Sequence, residues 1–324
     1  MPATEALTQL LHDVLTSRVY DVARETPLEP AHRLSRRFGN TILFKREDLQ
    51  PVFSFKLRGA YNKIAHLTAA ERGRGIIAAS AGNHAQGVAY AARELGLRAV
   101  IVMPQTTPQI KVDAVNSMGA EVVLIGDSYP DAQAHCDVLI AETGMTFVHP
   151  FDDPVVLAGA GTVGLEIMED AGEIDTVIVP VGGGGLMGGV TSAVKGMRAD
   201  VRMVAVELEE GPGLGPALVA GKPVPAPRPA TLADGMTPPF VGALPLAIAR
   251  EAVDAVVTVT EPEIIEAMRF LITRAKLYVE GSGAAATAAL LAGKIAPRNH
   301  RPVVAIVSGG NIDPERLATV FAPG

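Results

Sequence analysis

From residue 75 onward, short apolar runs alternate with longer amphipathic stretches. Ala99-Val100-Ile101-Val102-Met103 has no polar position at all, the pattern of a parallel strand covered on both faces. The spacing predicts strands over 75–79, 99–103, 121–125 and 146–149, with helices over 85–95, 108–118 and 130–143 between them. A second series follows: helix 154–171, strand 176–181, helix 186–197 and strand 202–207. A Pro- and Gly-rich segment, 211–239, interrupts it and is expected to run over the surface. Strand 255–259, helices 262–275 and 282–291, strand 303–307 and a terminal helix complete the chain. Upstream, helices are predicted over 4–17 and 30–38, a strand over 41–45 and a helix over 59–66. Such alternation implies an α/β fold of open twisted sheets with right-handed crossovers.

Composition narrows the function. The 324 residues suffice for about two domains. A net charge of −7 argues against nucleic acid, which calls for clustered Lys and Arg. Residues 1–15 lack the basic start of a secretory signal, and no apolar run approaches the ~20 residues that span a bilayer. The single cysteine, Cys136, has no internal disulfide partner and suits a reducing cytoplasm as helix filler. The seven histidines show no zinc-ligand spacing, and there is no Gly-x-Ser-x-Gly elbow. No metal is expected, and no membrane.

Candidate chemistry sits where strands are predicted to end. Ser80-Ala81-Gly82-Asn83-His84 opens a helix, whose unpaired N–H groups favour an anion. With no Lys or Arg in the turn, a carboxylate fits better than a polyphosphate. Gly182-Gly183-Gly184-Gly185 likewise joins a strand to a helix and reads as a phosphate cradle. A dinucleotide fingerprint on Gly182, Gly184 and Gly185, with Glu207 after the next strand, stays open as the reading of a nucleotide-binding oxidoreductase. Ser308-Gly309-Gly310-Asn311 offers a neutral donor or acceptor, and Glu280-Gly281-Ser282-Gly283 opens a helix. One lysine, Lys56, lies in Ser54-Phe55-Lys56-Leu57-Arg58-Gly59-Ala60. A phosphate cradle, a carboxylate turn, a neutral donor and a lysine are what a pyridoxal phosphate site requires.

The blocks Phe44-Lys45-Arg46-Glu47-Asp48-Leu49-Gln50-Pro51, Ser54–Ala60, Ser80–Gly87, Val181–Gly185 and Ser308–Asn311 resemble the fold-type-II pyridoxal-phosphate enzymes of the threonine dehydratase (threonine ammonia-lyase) and serine racemase group. Five collinear motifs carry the resemblance over essentially the whole chain. It implies a tryptophan-synthase-β-like pair of α/β domains, a large one from 1–74 and 150–324 and a small one from 75–149. Pyridoxal 5′-phosphate would lie in the cleft between them. Lys56 would form the Schiff base and later remove the substrate α-proton, and Phe55 would pack on the pyridine ring. Asn83 would bond the phenolic oxygen, Gly182–Gly185 the phosphate, and Ser308 would face the ring nitrogen. Ser80, Ala81, Gly82, Asn83 and His84 would bind the substrate carboxylate. The implied reaction is β-elimination of water from L-threonine or L-serine, giving 2-oxobutanoate or pyruvate plus ammonia, in a homodimer or homotetramer.

Departures from the family pattern refine this expectation. Racemases of the group carry serine where this chain has Ala81, so the dehydratase branch is expected. A divalent-cation site would use Glu207 and an acid some six residues on, where Gly211-Pro212-Gly213 stands instead. Ala160 (in Gly159-Ala160-Gly161-Thr162) and Gly281 replace the usual Gln and Pro, leaving a bulkier β-hydroxy amino acid such as phenylserine as the alternative substrate. The segment 127–137 holds no Lys or Arg, which speaks against a substrate with a second carboxylate. No C-terminal regulatory domain, and so no feedback inhibition by isoleucine, is expected.

Overall fold

A computed structural model describes residues 5–298 and 300–322; Thr4, where the first predicted helix begins, lies outside them. Among the described residues ten strands form two sheets. In chain order they are β1 (Leu28–Pro30), β2 (Ile42–Arg46), β3 (Ile76–Ala79), β4 (Ala99–Met103), β5 (Glu121–Leu124), β6 (Thr146–Phe147), β7 (Thr176–Pro180), β8 (Arg202–Leu208), β9 (Ala255–Val259) and β10 (Val303–Val307). The larger sheet runs β1-β2-β10-β7-β8-β9 and the smaller β5-β4-β3-β6. Every pairing is parallel except the short edge strand β1 on β2. The apolar runs explain this: β4, β7 and β10 are buried along their whole length, as helices on both faces require.

Strand order reverses once in each sheet. In the smaller sheet the chain moves outward from β3 through β4 to β5, then returns to place β6 on the other side of β3. In the larger sheet it moves from β7 through β8 to β9 and returns to place β10 on the other side of β7. Ligand crevices in open α/β sheets form at such reversals, beyond the strand C-termini. The Ser80 turn follows β3, and the glycine run follows β7.

The predicted elements are present, with informative shifts. The helix expected at 59–66 begins at Lys56 itself and runs to Ala65. Its apolar side, Leu57, Ala60, Tyr61 and Ile64, shares a core with Ile76, Ile101 and Met103 of the smaller sheet. A helix Ala69–Arg74 was not anticipated; Thr68 and Glu71 form its capping box. The segment 211–239 includes a helix, Leu214–Ala220, and a further helix, Ala243–Ala252, follows it. The helix expected over 262–275 is α-helical for Glu261–Phe270 and then widens into a π-turn over Leu271–Ala275.

Candidate active site

Lys56 takes its place from a backbone zipper. Phe55 N–H donates to the Ser308 carbonyl at 3.2 Å and Gly310 N–H to the Phe53 carbonyl at 2.9 Å, while Ser54 and Gly309 form an antiparallel bridge. Phe53 adopts φ +56°, a left-handed conformation unusual for a bulky side chain, and this pairing holds it there. The strap before Lys56 is thus sewn to the loop after β10. Two motifs 252 positions apart in sequence (308 − 56) become neighbours.

Lys56 Nζ donates to the Pro150 carbonyl at 2.7 Å and lies 5.3 Å from the centre of the Phe55 ring. Among the described residues no carboxylate pairs with it. Burial of the unpaired amine pulls its pKa from 10.5 down to about 8, because desolvation disfavours the charged form. Around it lies a cavity of about 510 Å³. Phe55, Ser80, Ala81, Gly82, Asn83 and His84 line it, with Gly182–Gly185 and Ser308 opposite. The structure therefore gathers the residues expected to hold the cofactor and the substrate carboxylate into one cleft.

Each turn has a physical reason for its sequence. A side chain at Gly183 would collide with the Phe151 ring, and Gly184 sits at φ +93° with Pro245 Cβ 2.5 Å from where its own Cβ would be. The run is therefore a tight turn packed from behind, with the first turn of helix Gly185–Met197 leaving N–H groups for an anion. On the other wall, Gly82 N–H bonds to Ser80 Oγ at 3.3 Å and helix Asn83–Leu95 starts without a side-chain cap. His84 is buried and its Nε2 bonds the Val148 carbonyl at 2.8 Å. Burial and the nearby Lys56 charge hold its pKa at about 3, so it is a neutral anchor that serves the turn through its backbone. Ser308 Oγ donates to the Ser282 carbonyl at 3.3 Å. Ser282 Oγ, also lining the cavity, is buried without a partner.

These features fit pyridoxal phosphate. A desolvated amine, a cradle that admits no Cβ and an orphaned hydroxyl are costly to keep unless a ligand uses them. Ser308 and Ser282 are neutral, so no carboxylate is set to protonate a ring nitrogen there.

Several residues were not singled out from sequence. Arg228 and Lys111 both line the cavity, so cations reach its mouth from outside 127–137. Arg228 lies 5.5 Å over the Tyr129 ring and Lys111 pairs with Asp234 at 3.5 Å. Ala160 and Gly281 are not among the residues facing the cavity. Glu207 accepts from the N–H groups of Gly213, Leu214 and Gly215 at 2.9, 2.7 and 3.0 Å. It caps the helix Leu214–Ala220. Among the described residues no three His, Cys, Asp or Glu side chains cluster as metal ligands. Burial pushes the Cys136 thiol up to about 12, which makes it inert.

Beneath the site lies a buried ionic cluster built from the Lys45–Glu47 block. Arg58 bonds Glu47 through Nε at 2.7 Å and Nη2 at 2.8 Å, and Glu166 through Nη1 at 2.5 Å and Nη2 at 2.9 Å. Lys45 pairs with Glu166 at 2.7 Å. Burial alone would raise the Glu166 carboxyl, yet Arg58 and Lys45 hold it below its ordinary value. The cluster ties the helix that starts at Lys56 to β2 and to helix Pro154–Asp170.

Fold and site define a pyridoxal-phosphate enzyme: the chain belongs to the pyridoxal-phosphate dependent enzyme family, whose profile matches residues 19–309. It is 47% identical to the biosynthetic L-threonine dehydratase of Burkholderia multivorans over 96% of this chain and 62% of that protein. It is 43% identical to the L-threonine ammonia-lyase of Thermotoga maritima, over 94% of this chain and 75% of that one. The processed form of threonine deaminase isoform 2 from Solanum lycopersicum superposes with a TM-score of 0.93 at 42% identity, covering 99% of this chain and 94% of that one. Maize serine racemase gives 0.90 at 33% identity, covering 97% and 96%. The expected fold, cofactor and family are borne out. The chain spans 53–62% of the length of biosynthetic dehydratases such as those of B. multivorans and Arabidopsis thaliana. No helix among the described residues is long and apolar enough to cross a membrane.

Proposed function

We propose that the chain is an ammonia-lyase that eliminates water from L-threonine, and from L-serine, to give 2-oxobutanoate or pyruvate plus ammonia. The observation that carries this is Lys56, a half-buried amine with no ionic partner among the described residues, sharing one cavity with the glycine cradle and the Ser80–His84 turn. Relatives named for threonine deamination, at 43–47% identity over nearly all of this chain, support the choice of substrate.

The cradle Gly182–Gly185 and the helix it opens would hold the cofactor phosphate, Phe55 would flank the ring, Asn83 would bond the phenolic oxygen and Ser308 would face the ring nitrogen. When bound, pyridoxal phosphate supplies the electron sink that makes the substrate α-proton acidic. The free N–H groups of the Ser80–His84 turn bind and orient the substrate carboxylate. Lys56, as a neutral amine, which its lowered pKa favours, would take the substrate α-proton. Ala81 has no proton to deliver to the opposite face, so the chain's residues favour loss of the β-hydroxyl over inversion. The released enamine hydrolyses to the 2-oxo acid and ammonia. The same reading carries a cytoplasmic homodimer or homotetramer acting on a free amino acid; one buried unpaired cysteine supports a reducing compartment.

The test is a panel of β-hydroxy amino acids assayed for oxo-acid and for D-serine, with borohydride reduction of the coloured enzyme. Threonine and serine are expected to turn over fastest, with modification confined to Lys56. Colourless protein, or phenylserine turning over faster than threonine, would show the reading to be wrong.

A further inference from the structure

Glu280 is a buried acid to which the chemistry above gives no task. It is the N-cap residue of helix Gly281–Leu291, lines the cavity and is buried. Oε1 accepts from Asn83 Nδ2 at 2.6 Å, and no cation stands within ion-pair distance among the described residues. Burial first, and then the charge of Asp234, push its pKa up to about 8; Asn83, Lys111 and Arg316 pull the other way without overcoming them. A carboxyl left in that state holds its proton at neutral pH.

The surrounding amides fix which way Asn83 points. Asn311 Nδ2 donates both hydrogens, one to the Val52 carbonyl at 2.8 Å and one to Asn83 Oδ1 at 2.8 Å. A backbone carbonyl can only accept, so the Asn311 amide cannot be flipped, and the Asn83 atom facing it must be oxygen. Asn83 therefore turns its NH₂ the other way. One hydrogen is spent on Glu280 and the second remains for the cavity.

The geometry points to Glu280 as a positioning residue that works as a neutral acid: it anchors the Asn83 amide so that one N–H faces the cofactor's phenolic oxygen, and it adds no negative charge beside that oxygen. An ionised Glu280 would still hold the amide but would repel an anionic oxygen across it. The inference rests on the pyridoxal-phosphate reading of the site and goes beyond it by giving a protonation state and a task to a residue outside the cofactor's direct contacts.

Apoenzyme of the parent, of Glu280→Gln and of Glu280→Ala is titrated with pyridoxal phosphate alone and followed by the visible absorption band, with thermal melting to confirm folding. Glu280→Gln keeps a neutral acceptor for Asn83, and its affinity should stay within about threefold of the parent; Glu280→Ala frees the amide and should bind about tenfold more weakly, with a displaced band, as for loss of one buried hydrogen bond. Raising the pH through about 8 ionises Glu280, so parent affinity should fall there relative to Glu280→Gln, which has nothing to ionise at that position. Glu280→Ala matching the parent, or Glu280→Gln as weak as Glu280→Ala, overturns the inference. If Glu280→Ala does not fold, identical pH dependence in parent and Glu280→Gln overturns it. A parent that develops no visible band removes the pyridoxal reading itself, and this inference with it.

Discussion

Lys56 owes its chemistry to what is missing around it. A lysine in water is almost fully charged at neutral pH, and an ion pair would keep it so. Here the Lys56 amine bonds a carbonyl, Pro150, and desolvation lowers the pKa from 10.5 to about 8. Only the neutral amine can attack the cofactor aldehyde. Reloading of apoenzyme with pyridoxal phosphate should therefore accelerate with rising pH and level off just above 8, which stopped-flow absorbance measures. A rise that continues to pH 10 or so, the range of an unperturbed lysine, would mean that the amine is solvated in the apoenzyme. Sequence singled out this lysine by its neighbours, but its protonation state depends on walls contributed by residues near 150 and 308. His84 shows the reverse: its motif suggested a substrate contact, whereas the fold turns its ring to Val148.

At the level of elements, the helix Lys56–Ala65 must present its first residue to the cleft while packing its body on the smaller sheet. The Arg58 cluster sets its height and rotation. The charges of Lys45 and Arg58 balance those of Glu47 and Glu166, and all four are buried. Arg58→Met removes one member, taking the cationic partner from Glu47 and leaving Glu166 to Lys45. We expect a loss of about 3–5 kcal/mol in denaturant unfolding, the range for breaking a buried ion pair. A cost below 1 kcal/mol or so, typical of an exposed pair, would show that water enters the cluster. The block Lys45-Arg46-Glu47-Asp48 was visible in the sequence as part of the resemblance. Its partner Glu166, mid-helix and 108 residues beyond Arg58, carried no signal that local pattern could reveal.

Across the whole molecule, the site exists because two sheets reverse their strand order at facing edges. One sheet supplies the Ser80–His84 turn after β3, the other the glycine run after β7 and the Ser308 loop after β10. The mouth is bridged by Lys111 to Asp234 and by Arg228 over Tyr129. Asp234 also raises the Glu280 pKa, so the rim speaks to the interior through charge. Asp234→Asn removes that charge, and the ionisation assigned to Glu280 should move to lower pH in the absorbance titration; no movement would mean that solvent screens the pair. The sequence by itself determined the α/β alternation, the parallel buried strands and the turns at strand ends. Those features are set by local periodicity and backbone conformation, which a few adjacent residues specify. Only the tertiary structure decided which turns meet, that Lys56 is drawn into the cleft, that Asn83 is oriented through Asn311 and Glu280, and that Glu207 is spent on a helix end. Burial and pairing are properties of what lies across a gap, and residues on the far side of a gap leave no trace in the local pattern.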